Sequence, residues 1–477
     1  MTHVADGSML PDAAYSGENS NASVIPIIIA LLATLVVSAP NVLDPMIRYD
    51  DYPAYFADPT EYFSKTKEEG RWLNYWWHLR SFTTPAWLSF TIYQISWALF
   101  AAFIALAGVE KTPNRVWFAA LLGVLILLSP SATLISLWFN TLLPGLALVA
   151  VYAGLGLVVS RFTHRALLVP FTILAFMAYT TYPLLLLISA VVCNRQRSFL
   201  DLIGLMSLFV AGFVLAVICV FSLNLYVHGI FGVPVAEWRN ATPATDLASV
   251  FSNLPLVVES FQTFLNITSF NFTPLIYFHL GFFVMGTIVL VRHSPLEALY
   301  LNVALAAGLG LITLQIIKVG VITPPRAFLF AWVLYAIVIT RAMQILTAKS
   351  GLSGRLIRVG VLFVAGSYIL FTFKHYVSYR DWQVETRVLA EKVKTIETPV
   401  AITGDILALP SARKAFVQDN RALGFRLQQL TGKTVPVCIG AEGSCCPKNT
   451  SAQTDCATLI HLHEQNGEAH LAVGFLD

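Results

Sequence analysis

The stretch Leu202 to Val227, LIGLMSLFVAGFVLAVICVFSLNLYV, carries no charged side chain and no proline. As an α-helix it would be about 39 Å long at 1.5 Å per residue, more than the roughly 30 Å of a bilayer's hydrocarbon core. Apolar residues occupy every face of that helix rather than one stripe, an arrangement suited to lipid and not to water. The rest of the chain agrees. Of 477 residues, 56% are hydrophobic and 12% charged, with a mean hydropathy of +0.69, whereas soluble domains carry about a quarter charged residues. A net charge of +3 and a pI near 8.4 are too mild for a nucleic-acid partner, and no basic run interleaved with aromatics suggests one.

The same length rule predicts an all-α polytopic membrane protein of about eleven spans. They cover Val24 to Ala39, Pro85 to Gly108, Val116 to Leu128, Ala132 to Val159, Ala166 to Tyr179, Pro183 to Cys193, Leu202 to Val227, Pro274 to Val291, Leu296 to Ile317, Ala327 to Leu346 and Leu356 to Phe373. The fifth and sixth are short, which leaves open one long helix or a broken pair. Short cytosolic loops are enriched in Lys and Arg. With a cytosolic amino terminus (residues 1–23), Lys111, Arg115, Arg161, Arg165, Arg195, Arg197, Arg292, Lys349, Arg355 and Arg358 all fall on the cytosolic side. That consistency favours two short spans joined near Thr180, Thr181 and Tyr182. Residues 1–20 are polar without a basic n-region, so the first helix is read as a retained anchor rather than a cleaved signal. Within a membrane domain of residues 24–373, two long loops then face outward, 44–84 and 228–273, followed by an outward tail of residues 374–477.

The tail reads as a small α+β extracytoplasmic domain. Asp381 to Glu397 has helical periodicity in Val384, Val388, Val393 and Ile396, and Pro399 ends it. Short apolar runs at Val400 to Ile402, Val435 to Ile439, Thr458 to His461 and Leu471 to Leu476 read as strands. Cys438, Cys445, Cys446 and Cys456 form an even set on the side where disulfides persist, so they are disulfide candidates. Zinc is the competing reading, with His461 and His463 nearby, but the paired CxxC spacing of structural zinc sites is missing. Cys193 and Cys219, in apolar segments, read as packing residues.

The first outer loop holds the densest chemistry. Arg48, Tyr49, Asp50, Asp51 and Tyr52 are followed by Glu68, Glu69, Gly70, Arg71 and Trp72, then Tyr75, Trp76, Trp77, His78 and Arg80. The aromatics alone read as an interfacial belt. Adjacent aspartates held near a bilayer need a partner, a metal or a use. Sugar chemistry supplies one: carboxylates accept hydroxyl protons, aromatic faces stack on sugar rings and arginines neutralise a phosphate leaving group. A divalent cation such as Mg or Mn is compatible with the carboxylates, yet no dense ligand cluster requires it, so metal is left unknown and no cofactor is assigned.

Asp50-Asp51-Tyr52 in an outward loop after a first helix, then Gly70-Arg71-Trp72, many further spans and an outward tail resemble the bacterial O-antigen glucosyltransferases of serotype conversion. That family belongs to the broader GT-C class of polyprenyl-phosphate-dependent enzymes. An arginine expected shortly after the acidic pair is missing, since Asp51 is followed by Tyr52, Pro53, Ala54 and Tyr55. The resemblance implies a multi-pass enzyme of the bacterial inner membrane that moves a sugar, glucose in the family, from a polyprenyl-phosphate donor to a lipid-linked or surface glycan. On that reading Asp50 or Asp51 is the catalytic base and Arg71 the first candidate for the donor phosphate, with Arg48, Tyr52, Glu69 and Trp72 placed around the substrate. Lys318 and Arg326 are further phosphate candidates because they flank Thr323-Pro324-Pro325 at the outer ends of two helices, with interfacial snorkelling the competing reading for Lys318. Glu237, Trp238 and Arg239 in the second loop read as a local surface ion pair, and His279 as a packed residue. A transporter or lipid-linked-sugar flippase is the main alternative, although no internal repeat is visible and the ionisable residues concentrate in loops rather than mid-span. A glycan polymerase or ligase would carry its key residues in a later loop.

Overall fold

The computed structural model describes residues 21–80, 82–112, 114–194, 196–270, 272–349, 351–396, 400–403, 406–438, 458–465 and 468–475. Helix α1 (Asn21–Val42) leads into a loop carrying α2 (Tyr52–Tyr55), α3 (Pro59–Glu69) and α4 (Trp72–His78). There follow α5 (Ala86–Gly108), α6 (Arg115–Leu127), α7 (Pro130–Ile135), α8 (Phe139–Val158), α9 (Arg161–Ala178), α10 (Tyr182–Cys193) and α11 (Phe199–His228). A second long loop holds α12 (Leu247–Ser252) and α13 (Leu254–Asn266), before α14 (Pro274–His293), α15 (Pro295–Val319), α16 (Leu329–Ala348) and α17 (Leu352–Ser378). The tail contains α18 (Arg380–Thr395), β1 (Val400–Thr403), α19 (Pro410–Lys414), α20 (Arg421–Thr431), β2 (Val437–Cys438), β3 (Thr458–Gln465) and β4 (Glu468–Phe475).

Among the described residues, eight helical stretches are long and apolar enough to cross a membrane: Val24–Val42, Ala86–Gly108, Pro130–Val158, Phe199–His228, Pro274–His293, Pro295–Val319, Pro325–Ala348 and Leu352–Thr395. The chain is therefore a helical polytopic membrane protein. Arg115–Leu127 and Tyr182–Cys193 are shorter apolar helices. Helix α10 is about 18 Å long, and every residue from Tyr182 to Val192 is buried, so neighbouring helices rather than lipid surround it. Tyr179, Thr180 and Thr181 separate it from α9, which makes a broken pair of the two short apolar runs.

Burial sorts the helices into a centre and a rim. Helix α16 is buried along most of its length and α5 nearly so, while α11, α14 and α17 keep one apolar face exposed, as helices bordering lipid must. Local chemistry marks the ends. Ser198 caps α11 by accepting from the Asp201 N–H at 3.1 Å, and Gly229 closes the same helix in the left-handed region at φ 71°.

One end of the bundle is tied by ion pairs that the hydropathy pattern concealed. Arg341, inside the span Ala327 to Leu346 and 1% exposed, donates to Glu297 at 2.7 Å and to Glu110 and Gln344 at 2.5 Å each, while Arg197 lies 3.7 Å from Glu297. Arg341 lies toward the C-terminal end of its span, where a buried guanidinium is tolerated because carboxylates surround it. Nearby, Asp201 receives a two-pronged contact from Arg165 at 2.6 Å per bond and a third from the Tyr300 hydroxyl at 2.6 Å.

At the opposite end the tail joins the first long loop. Only Tyr379 separates α17 from α18, so the expected domain boundary at residues 373–374 falls inside α17, which continues past the apolar residues to Ser378. Strands pair in the order β2-β1-β3-β4, parallel for β1 with β2 and β3, antiparallel for β3 with β4. Helices α18 and α20 pack together and grip the loop. Asp44 accepts from Arg426 and from Arg387 at 2.9 Å, and Gln383 donates to Asn41 at 3.0 Å.

Candidate functional site

The acidic pair lies in a single tight turn, Tyr49–Asp51, entered from an extended Arg48. Consecutive side chains in such a turn diverge, and the two carboxylates reach different elements. Asp51 points into the protein and meets the first turn of α8: it accepts from the Asn140 N–H at 3.0 Å, the Asn140 side-chain amide at 2.9 Å and the Thr141 N–H at 2.7 Å. These are donors that a helix start leaves unsatisfied, and the helix dipole favours an anion there. Asp51 is 0% exposed, and burial pushes its carboxyl up to about 7 against the pull of those hydrogen bonds. Asp50 is half-buried and accepts from the Trp138 indole N–H at 2.8 Å. The turn thus separates a helix-capping aspartate from one that keeps an open side.

Gly70 stops α3 at φ 69°, with its N–H on Thr66 O and the next N–H on Lys65 O, a left-handed cap that a side chain would strain. That reversal carries Arg71 back over the end of α3 and sends Trp72 inward. Arg71 meets Glu69 at 2.5 Å, and its guanidinium lies 5.8 Å from the Tyr179 ring centre. Arg239 arrives from the second loop at 3.3 Å from the same carboxylate. Burial works against the Glu69 charge, yet Arg71, Lys65, Arg239 and Arg326 together hold its carboxyl below the usual range.

Trp138 links this group to Asp50. Arg326 lies 4.1 Å from its ring centre and Arg48 5.4 Å, both cation–π contacts, while Lys65 donates to the Asp50 carbonyl at 2.8 Å. Five cations (Arg48, Lys65, Arg71, Arg239 and Arg326) thus gather around two carboxylates, Asp50 and Glu69. Alongside them, the His78 Nε2 is buried without a hydrogen-bond partner, while the buried Tyr62 and Tyr182 hydroxyls face Thr141 and Tyr93. The Tyr62 and Tyr182 hydroxyls both feel the Arg71 charge. Excess positive charge beside buried hydroxyls suits an oxyanion such as phosphate, and a carboxylate beside it can take a proton from a hydroxyl.

Of the residues expected here, Arg48, Asp50, Glu69, Arg71 and Arg326 do converge. Tyr52 and Trp72 lie in packing contacts instead. Tyr52, 2% exposed, stacks on Phe56 and Phe425 and bonds Gln429 at 3.3 Å, fastening the loop to α20. Trp72, 3% exposed, packs on Met177 and Val220 and donates to Asn224 at 2.9 Å. Lys318 projects exposed from the last turn of α15. Arg239 pairs across loops with Glu69. His279 is a packed residue bonded to the Tyr335 hydroxyl at 2.9 Å. Cys445, Cys446 and Cys456 lie outside the described residues, as does the side chain of Cys438.

Sequence reasoning missed Lys65, Trp138 and Tyr62, and gave Arg239 a local role only. The spacing of Lys65 and Glu69, one helical turn apart, is a signal for the first; nothing local marks Trp138, which reaches Asp50 only through the packing of α8's approach. Among the described residues, no three His, Cys, Asp or Glu side chains are grouped to hold a metal ion. No protein-family model matches the chain, and no curated protein matches it in sequence.

Proposed function

We propose that the protein is a membrane glycosyltransferase that moves a hexose, glucose by family resemblance, from a polyprenyl-phosphate donor to a glycan acceptor such as O-antigen. The observation that carries this reading is the cationic group around Glu69 with Asp50 at its edge, close to the ends of apolar helices. A lipid-linked phosphate would enter from the bilayer and present its sugar at that level. Asp50 takes the proton from an acceptor hydroxyl; the hydroxyl oxygen bonds to the anomeric carbon as the bond from that carbon to the phosphate oxygen breaks. Arg71, Arg326, Arg239 and Lys65 then neutralise the departing polyprenyl phosphate. Asp51 anchors the start of α8 and keeps Asp50 in position.

On this reading the Asp50 end faces outward from the bacterial plasma membrane, the arginine-rich loops face the cytosol, and the fold is GT-C-like with about eleven spans. The tail would be an extracytoplasmic module braced by disulfides. Membranes containing the protein, supplied with radiolabelled polyprenyl-phosphate glucose and a lipid-linked glycan, should transfer label to the glycan. Asp50→Asn, with normal insertion, should abolish transfer. Full activity of Asp50→Asn would remove the proposed site, and translocation of a lipid-linked sugar without transfer would favour the flippase reading.

A further inference from the structure

Glu69 lies where cations from three chain segments meet: Arg71 and Lys65 from the first loop, Arg239 from the second, and Arg326 from the α15–α16 connection. One carboxylate offers two oxygens and a single charge to a set of cations whose three guanidiniums alone could fill a phosphate's oxygens. The fit is incomplete: Glu69 Oε2 is within ion-pair distance of Arg71 but makes no hydrogen bond of good geometry. The buried Tyr62 and Tyr182 hydroxyls lie close enough to Arg71 to feel its charge. Resting on the anionic-donor reading above, we infer that Glu69 is a resident counter-ion that occupies the seat of a phosphate monoester, such as the departing polyprenyl phosphate, and is displaced when that group forms or binds. The cations are held in register while the site is empty, and the ligand must outcompete a tethered carboxylate. Selectivity follows, because an anion with one charge and two oxygens gains nothing over Glu69, whereas a phosphate adds charge and a third acceptor.

The test is calorimetric titration of the purified full-length protein with orthophosphate and, separately, with farnesyl phosphate. Glu69→Gln, isosteric and neutral, should bind about tenfold tighter than wild type, since the competing charge-assisted contacts are gone. Glu69→Asp, which keeps the charge but reaches the cations less well, should bind about two- to threefold tighter and guards against loss of folding in the first variant. Tightening with both probes supports a seat for the phosphate group itself, and tightening with farnesyl phosphate alone supports a seat for a lipid-linked phosphate. Unchanged or weaker binding by both variants overturns the counter-ion role. Arg71→Ala is the separate control: wild-type affinity there would refute the anion seat, independently of what Glu69 does.

Discussion

Replacing Asp51 separates the capping role from catalysis more sharply than any other single change. Its carboxylate satisfies three N–H donors at the start of α8, with no solvent to replace it. Asp51→Asn can keep the two bonds to Asn140 on its oxygen, but its amide then faces the Thr141 N–H, leaving one buried donor unpaired at about 2 kcal/mol. Asp51→Ala loses all three bonds and empties a fully buried position, at about 4 kcal/mol. Asp50→Asn keeps an acceptor for the Trp138 N–H and, being half-buried, should stay within about 0.5 kcal/mol of wild type, yet lose transfer by about 100-fold or more. Thermal unfolding in detergent beside a donor-consumption assay reads both quantities. If Asp51→Asn melts like wild type while Asp50→Asn unfolds early, the assignment of the two carboxylates is reversed and the reasoning fails.

Three further outcomes follow from the same geometry. Burial places the folded-state pKa of Asp51 at about 7, above the unfolded value near 4, so its contribution to stability is complete below about pH 4 and lost as pH rises through 7; in Asp51→Asn that part of the stability profile should be flat, and an unchanged profile would count against it. Asp44→Asn leaves the buried Arg426 guanidinium without its carboxylate, so it should cost about 3 kcal/mol and expose the tail to limited proteolysis; a tail as resistant as wild type would contradict the docking described. Gly320 sits at φ 68° with its backbone against Thr242, where an added Cβ would lie 2.1 Å from the Thr242 carbonyl oxygen. Gly320→Ala should therefore cost about 3 kcal/mol and raise the donor KM by shifting Arg239 and Arg326, which flank that contact in sequence; an unaltered KM would show that the contact does not position them.

Much of the helical scaffold was legible because lipid imposes a length and an apolar composition on each span, and both are written locally in runs such as Leu202 to Val227. The position of the first long loop's charges was legible too, since Arg48, Asp50, Glu69 and Arg71 lie close together in the chain. Their roles were not. Asp50 and Asp51 are chemically alike and adjacent, and only the approach of α8 makes one a cap. Tyr52 and Trp72 looked like ligand-facing aromatics because exposure cannot be read from a residue type; α20 and α11 bury them. Arg341 hid inside a span because hydropathy averages over a window, and a single guanidinium among apolar neighbours barely changes the mean.

The sequence by itself determined that this chain crosses a membrane repeatedly, because burial in lipid is a property of each segment's own composition. Tertiary structure alone decided that Arg239 and Arg326, far from Arg71 in the chain, meet it around Glu69, and that Trp138 joins them to Asp50. Ion pairs and hydrogen bonds act over a few ångströms in space, and separation along the chain says nothing of that distance until the helices have packed.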